Sequence, residues 1–310
     1  MNCANDMCTG RRDFLRRIVA ATAGAALPPR LFPGVPDPPP AAAFDENMSV
    51  FMADIHVGPG SQCADAKKTF KATVDEILAL RPLPRNVIVL GDVACRYGAG
   101  EDYDVALPIL KKFTDSGVAV TIAMGNHDRR SEYAKRWPDA ATKSLVPGRY
   151  VHLVETEHVG FLVLDTLQGL DGRPATDTGP QGGALSKDEK AFLERFLADR
   201  EKPVVICAHH PSGDLWCCGG RLDALLRSSP CVAGYIHGHF HRWRQESERE
   251  ICLPSASAWG DRGYAICRGL PDRVEIECVL KGFSIPSPSG DPLVMTSAHQ
   301  GRHRAKFAFK

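Results

Sequence analysis

The chain has 310 residues, 44% apolar and 24% charged, with a formal net charge of +1. This is ordinary for a soluble globular protein and long enough for one large domain or two small ones. The near-neutral balance excludes a global electrostatic field that would recruit nucleic acid or anionic lipid, while leaving room for a local basic pocket.

Residues 1–43 read as a signal peptide and Pro-rich linker. Arg11-Arg12-Asp13-Phe14-Leu15 precedes a weakly apolar, Ala-rich run, Ile18 to Leu27, then a Pro-rich stretch, Pro28 to Pro40, and Ala41-Ala42-Ala43. A basic region, a short apolar region and small residues suited to cleavage, after Ala25 or Ala43, follow in order. The run is far shorter than the roughly 20 residues that span a bilayer, so no transmembrane segment is expected. Paired arginines followed by Phe-Leu resemble a twin-arginine (Tat) export signal. The resemblance implies the Tat export machinery as a partner and a periplasmic or secreted protein exported after folding.

From residue 44 to 283 one domain is expected. Ser49 to Ala53 reads as a buried strand, Ala66 to Leu80 as a helix, and Asn86 to Leu90 as a second strand. Val105 to Phe113 follows as a helix, with Pro108 tolerable if it falls in the first turn. Val118 to Ala123 is a third strand, and Tyr150 to Leu153 and Gly160 to Leu164 look like paired strands. Asp188 to Leu197 is amphipathic and helical; Pro203 to Ala208 and Cys231 to Ile236 are further buried strands. Ile251 to Leu280 looks like three strands, and 284–310, with Pro-Ser-Pro-Ser-Gly and a basic end, like a loosely packed tail. Strand–helix alternation argues an α/β protein with a largely parallel central sheet.

Eleven cysteines are many for this length. Cys3 and Cys8 precede the apolar run, and the other nine contain no CxxC pair, which argues against a zinc ribbon. The adjacent Cys217 and Cys218 cannot bridge each other comfortably. Most are expected to be small buried apolar residues, some of them disulfides after export.

Polar residues with metal-ligating chemistry cluster at the carboxyl ends of the apolar strands. Asp54 and His56 follow the first; Gly91-Asp92 the second; Gly125-Asn126-His127-Asp128 the third; His209-His210-Pro211 and His237-Gly238-His239-Phe240-His241 two later ones. In open α/β sheets the ligand crevice lies at those ends, so five separate segments would converge. Each alone is weak: Asn-His-Asp can be just a turn, and His209 or His210 a core or capping histidine.

The order Asp-x-His, Gly-Asp, Gly-Asn-His-Asp, His, Gly-His-x-His resembles the calcineurin-like metallophosphoesterase superfamily, from Asp54 to His241. The resemblance implies a four-layer sandwich of two mixed β-sheets flanked by helices. It also implies two metal ions: Asp54, His56 and His241 on the first, Asn126, His209 and His239 on the second, Asp92 bridging. Two divalent or trivalent ions would neutralise phosphate oxygens and acidify a bridging water, which then attacks phosphorus as hydroxide. Mixed carboxylate and imidazole ligands suit Fe, Mn or Zn. His127 is then the expected catalytic residue, a general acid for the leaving alkoxide. His210 and His237 are not assigned as ligands.

Purple acid phosphatases place a metal-bound Tyr three residues after the bridging Asp, and many other relatives an Asp that orients the catalytic His; here that position is Cys95. Either Asp128 or another group would have to orient His127 instead, or His127 is less strongly poised. Phe161 to Thr166, then Gly183-Ala184-Leu185-Ser186 with Glu189 as a capping box, resembles the class III cyclic nucleotide phosphodiesterases, as does His-Pro followed by the loop Ser212 to Arg221. The expected substrate is a small phosphoester, diester or monoester, with cyclic nucleotides among the candidates. An exported phosphomonoesterase that scavenges phosphate competes with this reading. A non-catalytic scaffold of this family would have lost ligands, and none is lost. A nuclease would bring a DNA-binding domain and basic surfaces, so nucleic acid is not expected as the main partner.

Overall fold

Along β1 (Phe44–Met52) Val50 and Met52 turn to one apolar layer and Phe51 to another. In β2 (Leu83–Leu90) Val87 and Val89 part from Ile88 and Leu90 in the same way. The two-residue period of a strand forces this division, and a strand covered on both faces therefore reads as an unbroken apolar run. The computed structural model describes residues 43–60, 63–95, 97–167, 183–217, 220–257, 259–284 and 300–309. All of them belong to one unit, Ala42–Lys310. The expected signal peptide and linker lie, but for residue 43, outside the described residues, as do 168–182, 218 and 219 near the expected substrate loops.

Between β1 and β2 lies α1 (Ala64–Leu78). Then come α2 (Gly100–Asp115), β3 (Ala119–Ala123), α3 (Arg130–Arg136), α4 (Pro138–Thr142), β4 (His152–Glu155), β5 (Gly160–Val163), α5 (Lys187–Ala198) and β6 (Val204–Ala208). The short β7 (Trp216–Cys217) and β8 (Gly220–Arg221) precede α6 (Leu222–Ser228) and β9 (Val232–His237). Five strands close the chain: β10 (Arg244–Ser247), β11 (Glu250–Cys252), β12 (Gly260–Leu270), β13 (Arg273–Ser284) and β14 (Gly301–Ala308).

As the family resemblance implied, there are two mixed sheets, ordered β14-β13-β12-β1-β2-β3 and β10-β11-β9-β6-β5-β4, each with a parallel centre as the strand–helix alternation suggested. β1, β2 and β3 are mutually parallel, and so are β5, β6, β9 and β11. Antiparallel β12 and β13 extend the first sheet from β1. The sheets face each other through Phe51, Ile88 and Ile276 on one side and Phe161, Val205 and Ile236 on the other. α1 and α2 cover the outer face of the first sheet with Phe70, Val74 and Phe113. α5 and α6 cover that of the second with Leu193, Leu197 and Leu226. Helix, sheet, sheet and helix make the four layers that the family resemblance implied.

Two local expectations are corrected. α2 begins at Gly100, so Pro108 lies inside the helix rather than in its first turn. Its missing N–H costs the bond to the Asp104 carbonyl. Glu101 and Asp102 lie in its first turn, where acidic residues favour the positive helix end. The expected loose tail, 284–310, contains β14, which pairs antiparallel with β13 from Gly301↔Leu280 to Ala308↔Arg273. Phe307 is buried, with its ring against Gly234 of the second sheet. Arg302, Arg304 and Lys306 alternate with the residues of the other face, and charge on an edge strand masks its period. The capping box is present: Ser186 N–H donates to Glu189 Oε2 (3.0 Å) and Glu189 N–H to Ser186 Oγ (3.2 Å).

Candidate metal centre

Each candidate side chain ends or follows one of five parallel strands. Asp54 and His56 follow β1, Asp92 follows β2, and Asn126 and His127 follow β3; His209 and His210 follow β6, and His237, His239 and His241 end or follow β9. Backbone bonds continue the strand pairing into the loops: Asp54 N–H donates to Gly91 O (3.1 Å) and His56 N–H to Asp92 O (2.8 Å). The sheets are tied at the site by His239 N–H, which donates to both Asp54 carboxylate oxygens at 3.1 Å. Two motif glycines make these approaches possible. A Cβ on Gly125 would meet Asp92 Oδ1 at 2.2 Å, and one on Gly238 would meet Asp54 Oδ2 at 2.7 Å.

The side chains converge in two groups. In one, His56 Nε2 lies 3.2 Å from His241 Nε2 and 3.4 Å from Asp92 Oδ2, and His241 Nε2 lies 3.3 Å from Asp54 Oδ1. In the other, His209 Nε2 lies 2.9 Å from Asn126 Oδ1, 3.2 Å from His239 Nδ1 and 3.3 Å from Asp92 Oδ2. All seven residues singled out in the sequence are thus brought together, and Asp92 Oδ2 faces both groups. Ligand atoms about 2.1 Å from one cation stand roughly 3.0–3.4 Å apart, so these spacings fit a cation in each group. Among the described residues three groups could hold a metal ion, and two of them lie here: Asp54, His56, Asp92 and His241, and His209, His210 and His239. His210, unassigned in the sequence, therefore borders the second group, with Nδ1 hydrogen-bonded to Thr166 Oγ1 at 2.8 Å. His237 falls in a separate group with Glu246 and Cys252.

Electrostatics and strain mark the same residues. Burial holds the His56 and His239 imidazoles well below their usual range, the neutral form that ligation needs. Burial opposes protonation of His209 too, but the facing Asp92 carboxylate outweighs it and lifts that imidazole to about 9. Burial pushes the Asp92 carboxyl up, yet the charge of His209 holds it well below the carboxylate range. Among the described residues, the non-glycine residues with positive φ are Asp54, His56, Asp92, His239 and His241, at 45° to 73°. Left-handed backbone at such residues is costly and persists where the surroundings over-determine it. His209 donates Nδ1–H to Leu90 O at 2.9 Å, which turns Nε2 toward Asn126 and Asp92.

His127 stands beside the groups. Its N–H donates to Asp92 Oδ1 at 2.8 Å, and its ring meets His56 edge-on with centroids 4.8 Å apart. Of the alternatives open for it, orientation by Asp128 is not what the structure shows. Asp128 points inward and accepts from Val93 N–H and Ala94 N–H (3.1 Å each), Gly125 N–H (2.9 Å) and Tyr103 O–H (3.0 Å), while His127 Nδ1 is buried without a hydrogen-bond partner among the described residues. Burial, with Asp92 adding to it, pushes the Asp128 carboxyl up to about 6. Its carboxylate is used up in closing the Asp92 loop onto the Asn126 loop. Cys95 is bridged to Cys63. Trp259, which no sequence signal distinguished, lies against His56 with centroids 4.2 Å apart.

The family model for calcineurin-like phosphoesterases matches residues 49–243. A probable cyclic nucleotide phosphodiesterase of Rhodopseudomonas palustris is 27% identical over 243 residues, covering 74% of this chain and 78% of that protein. Among solved structures, Vps29 of Chaetomium thermophilum aligns over 86% of this chain and 97% of its own, with a TM-score of 0.40 and 10% identity. TT1561 of Thermus thermophilus aligns over 70% of this chain and 93% of its own, with a TM-score of 0.43 and 13% identity.

Proposed function

The chain belongs to the calcineurin-like phosphoesterase family, and we propose that it is a dinuclear-metal phosphoesterase that hydrolyses small phosphodiesters, cyclic nucleotides among them. The observation that carries this reading is the position of Asp92 Oδ2, 3.4 Å from His56 Nε2 and 3.3 Å from His209 Nε2, a carboxylate shared between two ligand groups. Two ions of Fe, Mn or Zn, when bound, would neutralise the phosphate oxygens and acidify a water between them. Asp54, His56 and His241 would hold one and Asn126, His209 and His239 the other. Asn126 adds an oxygen without adding charge. His127, outside both ligand groups, would give a proton to the leaving oxygen. The preference for diesters draws on the name of the R. palustris relative and on the Leu-Asp strand end and capped helix, which resemble those of the class III cyclic nucleotide phosphodiesterases.

The test is a panel assay of the purified mature protein reconstituted with Fe, Mn or Zn. Expected is metal-dependent turnover of 3′,5′-cyclic nucleotides and of a bis-ester faster than that of the matching mono-ester. Faster hydrolysis of the mono-ester by the same preparation would overturn the diester preference in favour of phosphate scavenging. Export to the periplasm or medium is part of the same proposal. It draws on the paired Arg11 and Arg12 and on the Cys63–Cys95 bridge, since disulfides persist in oxidising compartments. Changing Arg11 and Arg12 together to Lys is expected to trap the precursor in the cytoplasm on fractionation; unchanged export of that variant rules out the Tat route.

A further inference from the structure

We propose that the Cys63–Cys95 disulfide and the indole of Trp259 are positioning elements of the first ligand group, holding the rings of His56 and His241 in the orientation a cation requires. The inference rests on the metal-centre reading above. The bridge joins the residue before α1 to the loop that carries Asp92, and so ties together the two loops that supply Asp54, His56 and Asp92. Strand-like pairing between these loops reaches Val57 and Ala94. Cys95 is the next residue, and there the covalent bridge takes over from backbone pairing.

What is held at that point is a ligand's orientation. His56 Nδ1–H donates to Cys95 O at 3.3 Å, a bond that sets the tautomer and leaves Nε2 facing His241 and Asp92. Carbonyl partners of this kind orient imidazole ligands and raise their basicity. Trp259 restrains the other degree of freedom, the ring planes. Its indole lies 4.2 Å from the His56 ring at 36°, and 6.0 Å from the His241 ring at 4°. The disulfide supports the indole in turn: Cys63, Cys95 and Trp259 form a small buried cluster separate from the three large apolar layers. The second group has a different support, the Leu90 carbonyl within β2. Loss of the bridge should therefore affect one cation and spare the other.

The experiment measures cation content and affinity on the mature protein, by elemental analysis and titration with Mn²⁺ or Zn²⁺ against a chelator. Wild type is compared with the Cys63→Ala/Cys95→Ala double variant and with Trp259→Leu. Expected in both variants is one equivalent weakened about 10–100-fold, the range for lost ligand support, and one of wild-type affinity. His209→Ala is expected to weaken the opposite equivalent. Wild-type affinity for both equivalents in the folded double variant overturns the inference, because a bridge that only stabilises the fold would lower the melting temperature alone. Should the double variant fail to fold, folded wild type is treated with a phosphine until thiol titration counts the two freed thiols. Selective loss of one cation, reversed on reoxidation, supports the inference, and retention of both overturns it. A wild type that takes up no cation at all overturns the metal-centre reading itself, and the inference with it.

Discussion

Asp92→Asn is expected to lower phosphoester turnover by about 10²–10³-fold, the scale of several kcal/mol of lost charge stabilisation at a metal-assisted site. It should also lower the number of cations bound per chain. The side chain lies between the two ligand groups, with Oδ2 3.4 Å from His56 Nε2 and 3.3 Å from His209 Nε2, so both depend on its charge. Asn keeps the shape, and its amide oxygen can still accept the His127 N–H that Oδ1 now accepts at 2.8 Å. The fold should survive, and unchanged circular dichroism separates a lost charge from a lost structure. Metal content by elemental analysis and steady-state kinetics check the expectation together. Full activity in the variant, or in protein stripped of metal, would sink the two-cation mechanism.

His127→Ala should give a loss that depends on the leaving group. A nucleoside or alkyl ester expels an alkoxide that needs a proton, whereas nitrophenolate leaves readily without one. Removing a general acid costs about 10²–10⁴-fold on the first class, and the expected loss here is toward the lower end of that range. The reason is structural: Asp128 is committed to Val93, Ala94, Gly125 and Tyr103, and among the described residues His127 Nδ1 has no hydrogen-bond partner to hold its ring. On a nitrophenyl ester the loss should be smaller, with cation content unchanged. Equal losses on both esters would make His127 a phosphate-binding residue, and loss of a cation would make it a ligand.

These two residues mark the boundary of what could be read without a structure. Asp92 was legible because its cluster, an apolar strand, a glycine, then a carboxylate at the strand's carboxyl end, is one of five that follow in the family's order. The setting of the His127 ring was not. Proximity in sequence suggested Asp128, but the turn after β3 directs the two side chains apart, one toward the ligand groups and the other under the Asp92 loop. β14 was missed for a related reason. An edge strand whose exposed face is Arg302, Arg304 and Lys306 has the composition of a tail, and only its pairing with β13 and the burial of Phe307 identify it.

By itself the sequence determined the residue types of the centre, their order and their attachment to strand ends, because strand period, turn-forming glycines and ligand spacing act within a few residues. Through the family resemblance carried by its motif order, it also implied the four layers. Only the tertiary structure decided which atoms meet: His56 with His241, 185 residues apart, Asp92 between the two groups, Cys63 with Cys95 among the many possible pairings, and Trp259 against His56. Those contacts depend on how two sheets face each other and where the loops at their ends cross. No local pattern encodes that geometry, because it results from burying both sheets' inner faces at once.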